Sequence, residues 1–524
     1  MFYKISNLKM PITSSIDEVF SACVQKMGIK NADIISKKIL RKSIDARRKQ
    51  VSFIYSVLIE TNRKIISDDN ITPVEIKENE PLTFGNTPLS HPPVVVGFGP
   101  CGMFCALTLA RNGYNPTVIE RGADVDTRTA KINAFWSGGE LDTNTNIQFG
   151  EGGAGTFSDG KLTCRTGDAL IDSVLEDFVR HGAPDDILYS ALPHIGTDIL
   201  KNVVKSIREE IISLGGKVIF NTSVSDINIK NKKLTSLTLS DGTLVPCDIA
   251  VFAIGHSARD TYNMLYHHGI DMIAKTFSVG FRCEHLQSDI DKALYGDFAG
   301  NPLLGAASYK LSNRKGDIGC YSFCMCPGGT VVTASSEEQQ VVVNGMSNRA
   351  RDNKNSNSAI CINVTPADFG QNPLDGIRFQ QDLERRAYTL GGSSYASPVQ
   401  TLGDYVDGRK TTRLGRVTPS VTHGYEFADL NTLFSPSFNN FMKESFARFG
   451  KTIDGFNASD TVLTGVETRT SAPLRILRND QGVSTTLEGL MPAGEGAGYA
   501  GGIMSAATDG IKAAINIMKI YKTI

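Results

Sequence analysis

Apolar and polar positions divide this chain into stretches of different rhythm. Near the N-terminus YKISNLKM alternates as a strand, SSIDEVFSACVQKMG follows a helical period behind a serine cap, and DIISKKILRKSIDARRK and VSFIYSVLIET alternate again. TPVEIKENEPLTFGNTPLSHPP, dense in proline and turn formers, reads as a linker. Residues 1–90 are therefore predicted to be a small α+β domain with its linker.

From Val94 the rhythm changes. VVVGFGPCGMFCALTLARNGYNPTVIERG is an apolar strand, a glycine turn, a helix and a second strand ending on an acidic residue. Helical patterns fill Ile171 to about Leu214, and GGKVIFNTSVSDINIKNKKLTSLTLSDGTLVPCDIAVFAIGHSARD reads as strands joined by turns. Residues 276–455 are mixed, with short strands such as TFSVGFRCEH and CYSFCMC, and NKNSNSA reads as an Asn-rich turn. GLMPAGEGAGYAGGIMSAATDGIKAAINIMK then returns to strand, glycine turn and helix. The expectation is one nucleotide-binding domain in two parts, 91–275 and 456–524, interrupted by an insert over 276–455.

Bulk properties narrow the picture. A chain of 524 residues has room for about three domains. A net charge of −1 excludes a globally basic nucleic-acid binder. Residues 1–50 nevertheless carry eleven Lys/Arg against four Asp/Glu, so RNA or an acidic partner stays open beside a merely solvated face; the absence of an aromatic stacking set favours the solvated face. No apolar run approaches the ~20 residues that span a bilayer, so no membrane partner is expected. MFYKISNLKMPITSS lacks the apolar core of a secretory signal, and ten scattered cysteines suit the free thiols of a reducing compartment. The expected location is cytoplasmic.

The glycine turn carries the chemistry. Gly97 allows a tight exit from the strand, Gly99 lets a pyrophosphate approach the backbone, and Gly102 lets the helix lie against the sheet. Pro100 and Cys101 open that helix, whose free N–H groups and dipole point at the phosphates. Glu120, 23 positions after Gly97, stands where a carboxylate accepts hydrogen bonds from an adenosine ribose, with Arg121 beside it. A carboxylate there disfavours a 2′-phosphate and leaves NAD and FAD both open.

FAD needs additional holding for ribitol and isoalloxazine, so a second, distant motif discriminates. Gly494-Glu495-Gly496 follows an apolar strand, and Gly502-Ile503 opens the C-terminal helix. Glu495 is placed to bind a ribitol or phosphate-proximal hydroxyl. A helix N-terminus aimed at flavin N1 and the C2 carbonyl favours the reduced anion by ~0.3–1 kcal/mol. Gly152 and Gly153 supply backbone for the pyrophosphate, with Ser158, Asp159, Gly160 and Lys161 just beyond. Ala253 and Gly255 end a strand in small residues, and Val224 completes the expected cofactor contacts.

Together GFGPCG, IERG, GEGGAGTFSDGKL, AIGHSARD and PAGEGAGYAGGI resemble the glutathione-reductase-type FAD-binding superfamily and, within it, a bacterial family of uncharacterised FAD-dependent dehydrogenases, or NAD(P)/FAD-dependent oxidoreductases. The resemblance extends to SIDARRK, CMCPGG and NGMSNRARD. It implies FAD on Gly97, Gly99, Gly102, Glu120, Gly494 and Glu495, although many relatives carry Asp in place of Glu495 and Ala in place of Cys101. The expected fold class is α/β: a Rossmann-like FAD-binding domain with an inserted α+β substrate domain and a small N-terminal α+β domain.

Candidate reacting residues are sparse. No second strand with G-x-G-x-x-G occurs mid-chain, so NAD(P)H would serve as a transient donor over the flavin, or the donor is another molecule. On a regular strand Cys320, Cys324 and Cys326 share one face with i, i+2 spacing of ~6.6 Å, a poor geometry for a bridge. A structural role is favoured over a redox one, and over a metal site with Cys283 and His285; no metal is expected. Cys101 and Cys105 should pack against the sheet. His256 and His194 are either proton donors or hydrogen-bonded loop residues. Lys161 is expected on phosphate or in a structural contact before catalysis, and Arg282 and Arg349 as anion anchors or surface residues. The catalytic candidates are thus Lys161, His256 and Cys324. The expected function is an FAD-dependent oxidoreductase passing electron pairs through flavin N5, with the insert covering the isoalloxazine and selecting a small-molecule substrate. Alternatives are a flavoprotein acting on or docking to RNA, and a non-catalytic flavin-binding module.

Overall fold

The computed structural model describes residues 1–47, 50–75, 82–163 and 168–523. The N-terminal unit is a four-stranded antiparallel sheet in the order Ile34–Asp45, Ser52–Thr61, Phe2–Pro11, Ile71–Val74, with the helix Ile16–Met27 packed on it. Ser15 caps that helix by accepting the Glu18 N–H, while the Glu18 carboxylate accepts the Ser15 N–H. Val19, Cys23 and Met27 of the helix meet Tyr3, Ile5, Val57 and Ile59 of the sheet. The expected linker starts later than its composition suggests, because Ile71–Val74 pairs with Phe2–Ile5. Pro73 is compatible with that strand because it lies at the sheet edge. Residues 76–81 of the linker lie outside the described residues. Of the basic side chains here, Lys37, Arg47 and Arg63 are paired with Asp17, Asp45 and Asp33.

The second unit is built on five parallel strands in the order Leu490–Pro492, Ala250–Phe252, Val94–Val96, Thr117–Ile119, Lys217–Ile219. The four before Lys217–Ile219 are almost continuously apolar, as strands covered on both faces must be. Val95, Val118, Val251 and Met491 pack under the helices Pro100–Arg111, Thr197–Ser213 and Ile503–Ile520. Val94, Val96, Ile119 and Phe252 face the opposite way, onto an antiparallel meander of Val224–Lys230, Lys233–Leu239 and Leu244–Pro246. Four turns, beginning at Gly97, Glu120, Ala253 and Ala493, therefore leave the same carboxyl edge of the sheet.

The insert leaves and rejoins this unit through Met272–Ala274 and Leu474–Ile476, which pair antiparallel as a neck. It is organised by a seven-stranded sheet in the order Ser312–Lys315, Ile318–Cys326, Asn355–Val364, Phe277–Leu286, Val462–Glu467, Ser397–Thr401, Tyr425–Phe427. Val462–Glu467 pairs with Phe277–Leu286, so the insert extends beyond the expected limit at 455. NKNSNSA is not a turn: it opens the strand Asn355–Val364. Two of its asparagines are buried against charged partners, Asn355 donating to Glu284 and Asn357 accepting from Arg282, which a composition-based reading takes for a loop. One face of the sheet packs Phe281 and Cys320 against Met442 and Phe446 of the helix Pro436–Gly450. Polar residues of the other face, Ser278, Tyr321 and Glu467 among them, line a cavity above the parallel sheet.

The N-terminal unit docks on the rim of that cavity. Lys42 of its edge strand donates its N–H to Tyr189 O at 2.7 Å and accepts the Ala191 N–H at 2.8 Å. Among the described residues no helix is long and apolar enough to cross a membrane.

Candidate cofactor site

A cavity of about 1590 Å³ lies between the carboxyl edge of the parallel sheet and the insert. Pockets for drug-sized ligands run to ~300–1000 Å³, so this one has room for a dinucleotide and a second molecule. Gly97, Gly99, Pro100 and Cys101 line it from the first turn, and Glu120 and Arg121 from the second. Gly153, Ser158, Asp159 and Lys161 reach it from the glycine-dense loop, and Val224, Ala253 and Gly255 from the meander and the strand end. Glu495, Gly502 and Ile503 come from the C-terminal segment, and His256 and Cys324 also line the cavity. Gly102, Gly152, Gly160 and Gly494 stand behind the lining.

Two of these glycines separate structural from ligand-directed roles. A Cβ on Gly102 would lie 1.9 Å from Gly97 O, so the close contact of helix and turn requires glycine there. A Cβ on Gly99 would meet only Gly153 Cα at 3.6 Å, and the Gly99 backbone is extended at φ −75. Nothing in the protein forbids a Cβ at Gly99; the space it preserves belongs to the cavity. Gly99 opens the helix Pro100–Arg111 and Gly502 opens Ile503–Ile520, neither with a side-chain cap. Two uncapped helix N-termini thus line one cavity, and their free N–H groups suit an anion.

Glu120 does more than face the cavity. Its carboxylate accepts the N–H groups of Phe98 at 2.7 Å and of Gly122 and Gly150 at 2.9 Å, tying both glycine loops to the second strand. Arg121 stacks over Phe149 at 4.4 Å and pairs with Asp260 at 2.8 Å. The loop 146–153 is gathered from beneath by Arg128, a residue that sequence reasoning missed. This buried guanidinium donates to the carbonyls of Asn146, Ile147, Gly150, Glu151 and Gly153 at 2.6–3.2 Å. Burial lowers its pKa to about 10, which leaves it a cation at neutral pH. No motif marks Arg128, since its partners are backbone carbonyls.

Lys161 lines the cavity while pairing with Asp159 at 3.1 Å and donating to the Met325 carbonyl, contacts that join the glycine-dense loop to the insert. Burial opposes it, but Lys161 and Arg351 hold the Asp159 carboxyl below its usual range. Ser158 donates to Gly155 O at 2.7 Å and accepts the Gly160 N–H at 3.0 Å. His256 hydrogen-bonds Ser257 at 2.9 Å, and burial, with Arg469 and Arg259 nearby, lowers its pKa to about 3. Burial and Arg351 bring His194 to about 4. Burial thus disfavours the charged form of both imidazoles, and His194 Nε2 hydrogen-bonds the Arg349 carbonyl at 3.1 Å. Arg282 and Arg349 are not anion anchors, since Arg282 is buried against Glu467 at 2.9 Å and Arg349 pairs with Asp186 at 2.7 Å. Burial pushes the Glu495 carboxyl up to about 7, with the Gly502 N–H 3.5 Å from Oε2.

The three cysteines do not share one face. The strand carries an extra residue between Phe323 and Cys326, with Cys324 in the left-handed region at φ 43. Such a bulge reverses the alternation. Cys320 sits against Met442 Sδ at 3.9 Å on the helical side, whereas Cys324 lines the cavity. His285 turns to Phe456 O at 2.7 Å, and among the described residues no group of three or more His, Cys, Asp or Glu converges as for a metal.

Comparison with known proteins bears on the class. Residues 276–470 match a family described as "FAD-dependent protein, C-terminal domain-like", spanning the whole seven-stranded unit, and residues 2–60 match a domain of unknown function. A protein of Clostridium beijerinckii described as "Uncharacterized protein" is 46% identical over 530 residues, covering 99% of each chain. Glycine oxidase from Bacillus cereus is 12% identical over 82% of this chain and 97% of its own, with a TM-score of 0.35. GidA of Aquifex aeolicus is 11% identical over 83% and 65%, with a TM-score of 0.34. These two structural likenesses are too loose to transfer a site. The fold is mixed α/β, and its insert is similar to the C-terminal domain of FAD-dependent proteins. The chain belongs to the family of the Clostridium beijerinckii protein.

Proposed function

We propose that this protein is an FAD-dependent oxidoreductase whose Rossmann-like unit binds FAD across the cavity and whose insert covers the flavin and selects a small-molecule substrate. The observation that carries the reading is the convergence of two helix N-termini without side-chain caps, at Gly99 and Gly502, on one cavity. They are about four hundred residues apart in sequence, and a dinucleotide with a second reactive end is the ligand that needs both. The residues present fit that group. Gly99 and Gly153 leave backbone open to the pyrophosphate. Glu120, though bound to three backbone N–H groups, retains acceptor capacity for a ribose hydroxyl. Glu495 stands on the ribitol side, and Ala253 and Gly255 leave the strand end free of bulk.

When bound, FAD supplies two-electron chemistry at N5; the protein supplies orientation and electrostatics. The first turns of the helix Ile503–Ile520 favour negative charge on the flavin. Arg128 and Glu120 hold the loops that define the phosphate side. NAD(P)H is the donor we favour for testing, binding over the flavin from the insert side without a domain of its own. Anaerobic stopped-flow mixing of the flavin-loaded protein with NADH and NADPH in parallel tests this. Bleaching of the flavin by one of them identifies the donor, and bleaching by neither sends the search to small-molecule substrates.

A further inference from the structure

The bulged end of the strand Ile318–Cys326 enters the cavity with a pair of thiols that the cofactor reading leaves unused. Cys326 Sγ donates to Cys324 O at 3.3 Å, which folds the two residues onto each other at the bulge. Cys324 is half-buried on the cavity wall and Cys326 is buried behind it. Both carbonyls of the bulge are held by cations from elsewhere: Arg282 Nη1 donates to Cys324 O at 2.9 Å, and Lys161 Nζ donates to Met325 O. Arg282 is itself fixed by Glu467 and by Asn344 at 2.7 Å. A left-handed cysteine is thus locked in place by two cations from two different units of the fold, the buried Arg282 and the half-buried Lys161.

The same groups set the chemistry. The hydrogen bond from Cys326, and then the charges of Lys161 and Arg282, hold the Cys324 thiol well below its ordinary pKa against burial and Asp159. Cys326 is pushed the other way, first by its hydrogen bond to Cys324 and then by burial. The two thiols are thus shifted in opposite senses, Cys324 downward and Cys326 upward, the asymmetry that disulfide formation uses.

We propose that Cys324 and Cys326 form a redox-active dithiol on the cavity wall that exchanges one electron pair with bound FAD. The inference rests on the reading of the cavity as an FAD site. In the oxidising direction a sulfur–sulfur bond forms between Cys324 and Cys326, two protons and two electrons leave the thiols, and one FAD takes up both to become FADH2. In the reverse direction FADH2 gives them back and the sulfur–sulfur bond breaks. The bulge is what makes this pairing local: on a regular strand Cys320 would lie on the same face as Cys324, and instead it lies on the far side of the sheet.

The test counts electrons and weighs a peptide. Air-oxidised, flavin-loaded, full-length protein is titrated anaerobically with dithionite, and parallel samples are acid-quenched, unfolded, alkylated and digested. The inference expects two electron pairs per flavin instead of one. After chymotryptic cleavage at Tyr321 and Phe323, which removes Cys320, the peptide bearing Cys324 and Cys326 should carry no alkyl group before titration and two after. Cys324→Ser and Cys326→Ser should each return the titration to one pair with the flavin still bound, so either variant suffices if the other fails to fold. One pair per flavin with both cysteines alkylated at the outset overturns the dithiol and leaves the FAD reading standing. A protein that binds no FAD overturns both.

Discussion

Arg259 and Glu384 meet in a buried bidentate pair across the junction of the parallel-sheet unit and the insert, with Nη2–Oε1 at 2.8 Å and Nη1–Oε2 at 2.9 Å. Arg469 reaches the same carboxylate at 2.9 Å and donates onward to Ser257. Against burial, the two guanidinium charges hold the Glu384 carboxyl far below its usual range. The pair fixes the turn from Ala253 to Ala258, which forms one wall of the cavity, to a helix of the insert, Asp375–Leu390.

Removing that carboxylate takes from Arg469 the acid it pairs with and leaves Arg259 only the half-buried Glu337 at 2.7 Å. Glu384→Gln should destabilise the protein by ~3–5 kcal/mol, read as a shift in denaturant midpoint with the slope unchanged. A loss below ~1 kcal/mol would mean that the arginines find water or other partners, and that the junction is looser than its geometry.

Arg128 is a positioning residue for the cofactor loop. Arg128→Met keeps much of its stem but strips the donors from five carbonyls. Flavin affinity should fall tenfold or more, about 1.4 kcal/mol at least. Arg128→Lys should recover only part of it, because an ammonium offers three donors where the guanidinium offers five in a fixed fork. Equilibrium titration of each variant with FAD measures both effects.

Stability should carry an acid limb from His256. Its folded pKa, about 3, lies below the ordinary 6.5, so the neutral ring contributes stability that is complete above pH 6.5. That contribution is lost progressively as pH falls from 6.5 to about 3, because the unfolded chain binds a proton that the folded one refuses. His194 and His285, each at about 4, act in the same sense. His256→Asn should flatten the dependence of unfolding free energy on pH between 4 and 6 by up to one proton. An unchanged slope would place the ring in solvent.

Much of this molecule could be read in its residues, and the failures have physical causes. The parallel sheet, its two glycine turns and the capped N-terminal helix are written in local periodicity and turn chemistry, and the structure has them where the pattern put them. The insert resisted because its strands bury polar side chains on the cavity face: Asn355 and Asn357 pair with Glu284 and Arg282, so a central strand looked like a loop. The cysteine strand misled for another reason. Nothing local to CYSFCMC announces a bulge that is held by Arg282 and Lys161 from distant parts of the chain. Glu120 was placed at the cavity by its spacing, but its second task, binding three loop N–H groups, depends on loops whose path no motif fixes.

The two roles of glycine can be separated by substitution. Gly102→Ala puts a methyl 1.9 Å from Gly97 O and should cost ~1–3 kcal/mol of stability or prevent folding. Gly99→Ala has room within the protein and should leave stability within ~0.5 kcal/mol, while weakening FAD by crowding the pyrophosphate. Comparing denaturation midpoints and FAD affinities of the two variants checks the assignment.

The most direct test of the account is titration of the flavin-stripped protein with FAD, followed by flavin absorbance and fluorescence, for the native chain and Gly99→Val. The account predicts one FAD bound per native chain with a perturbed flavin spectrum, and a folded Gly99→Val protein that does not bind it. A native protein that takes up no FAD, or a Gly99→Val protein that binds it equally well, would contradict the placement of FAD in this cavity.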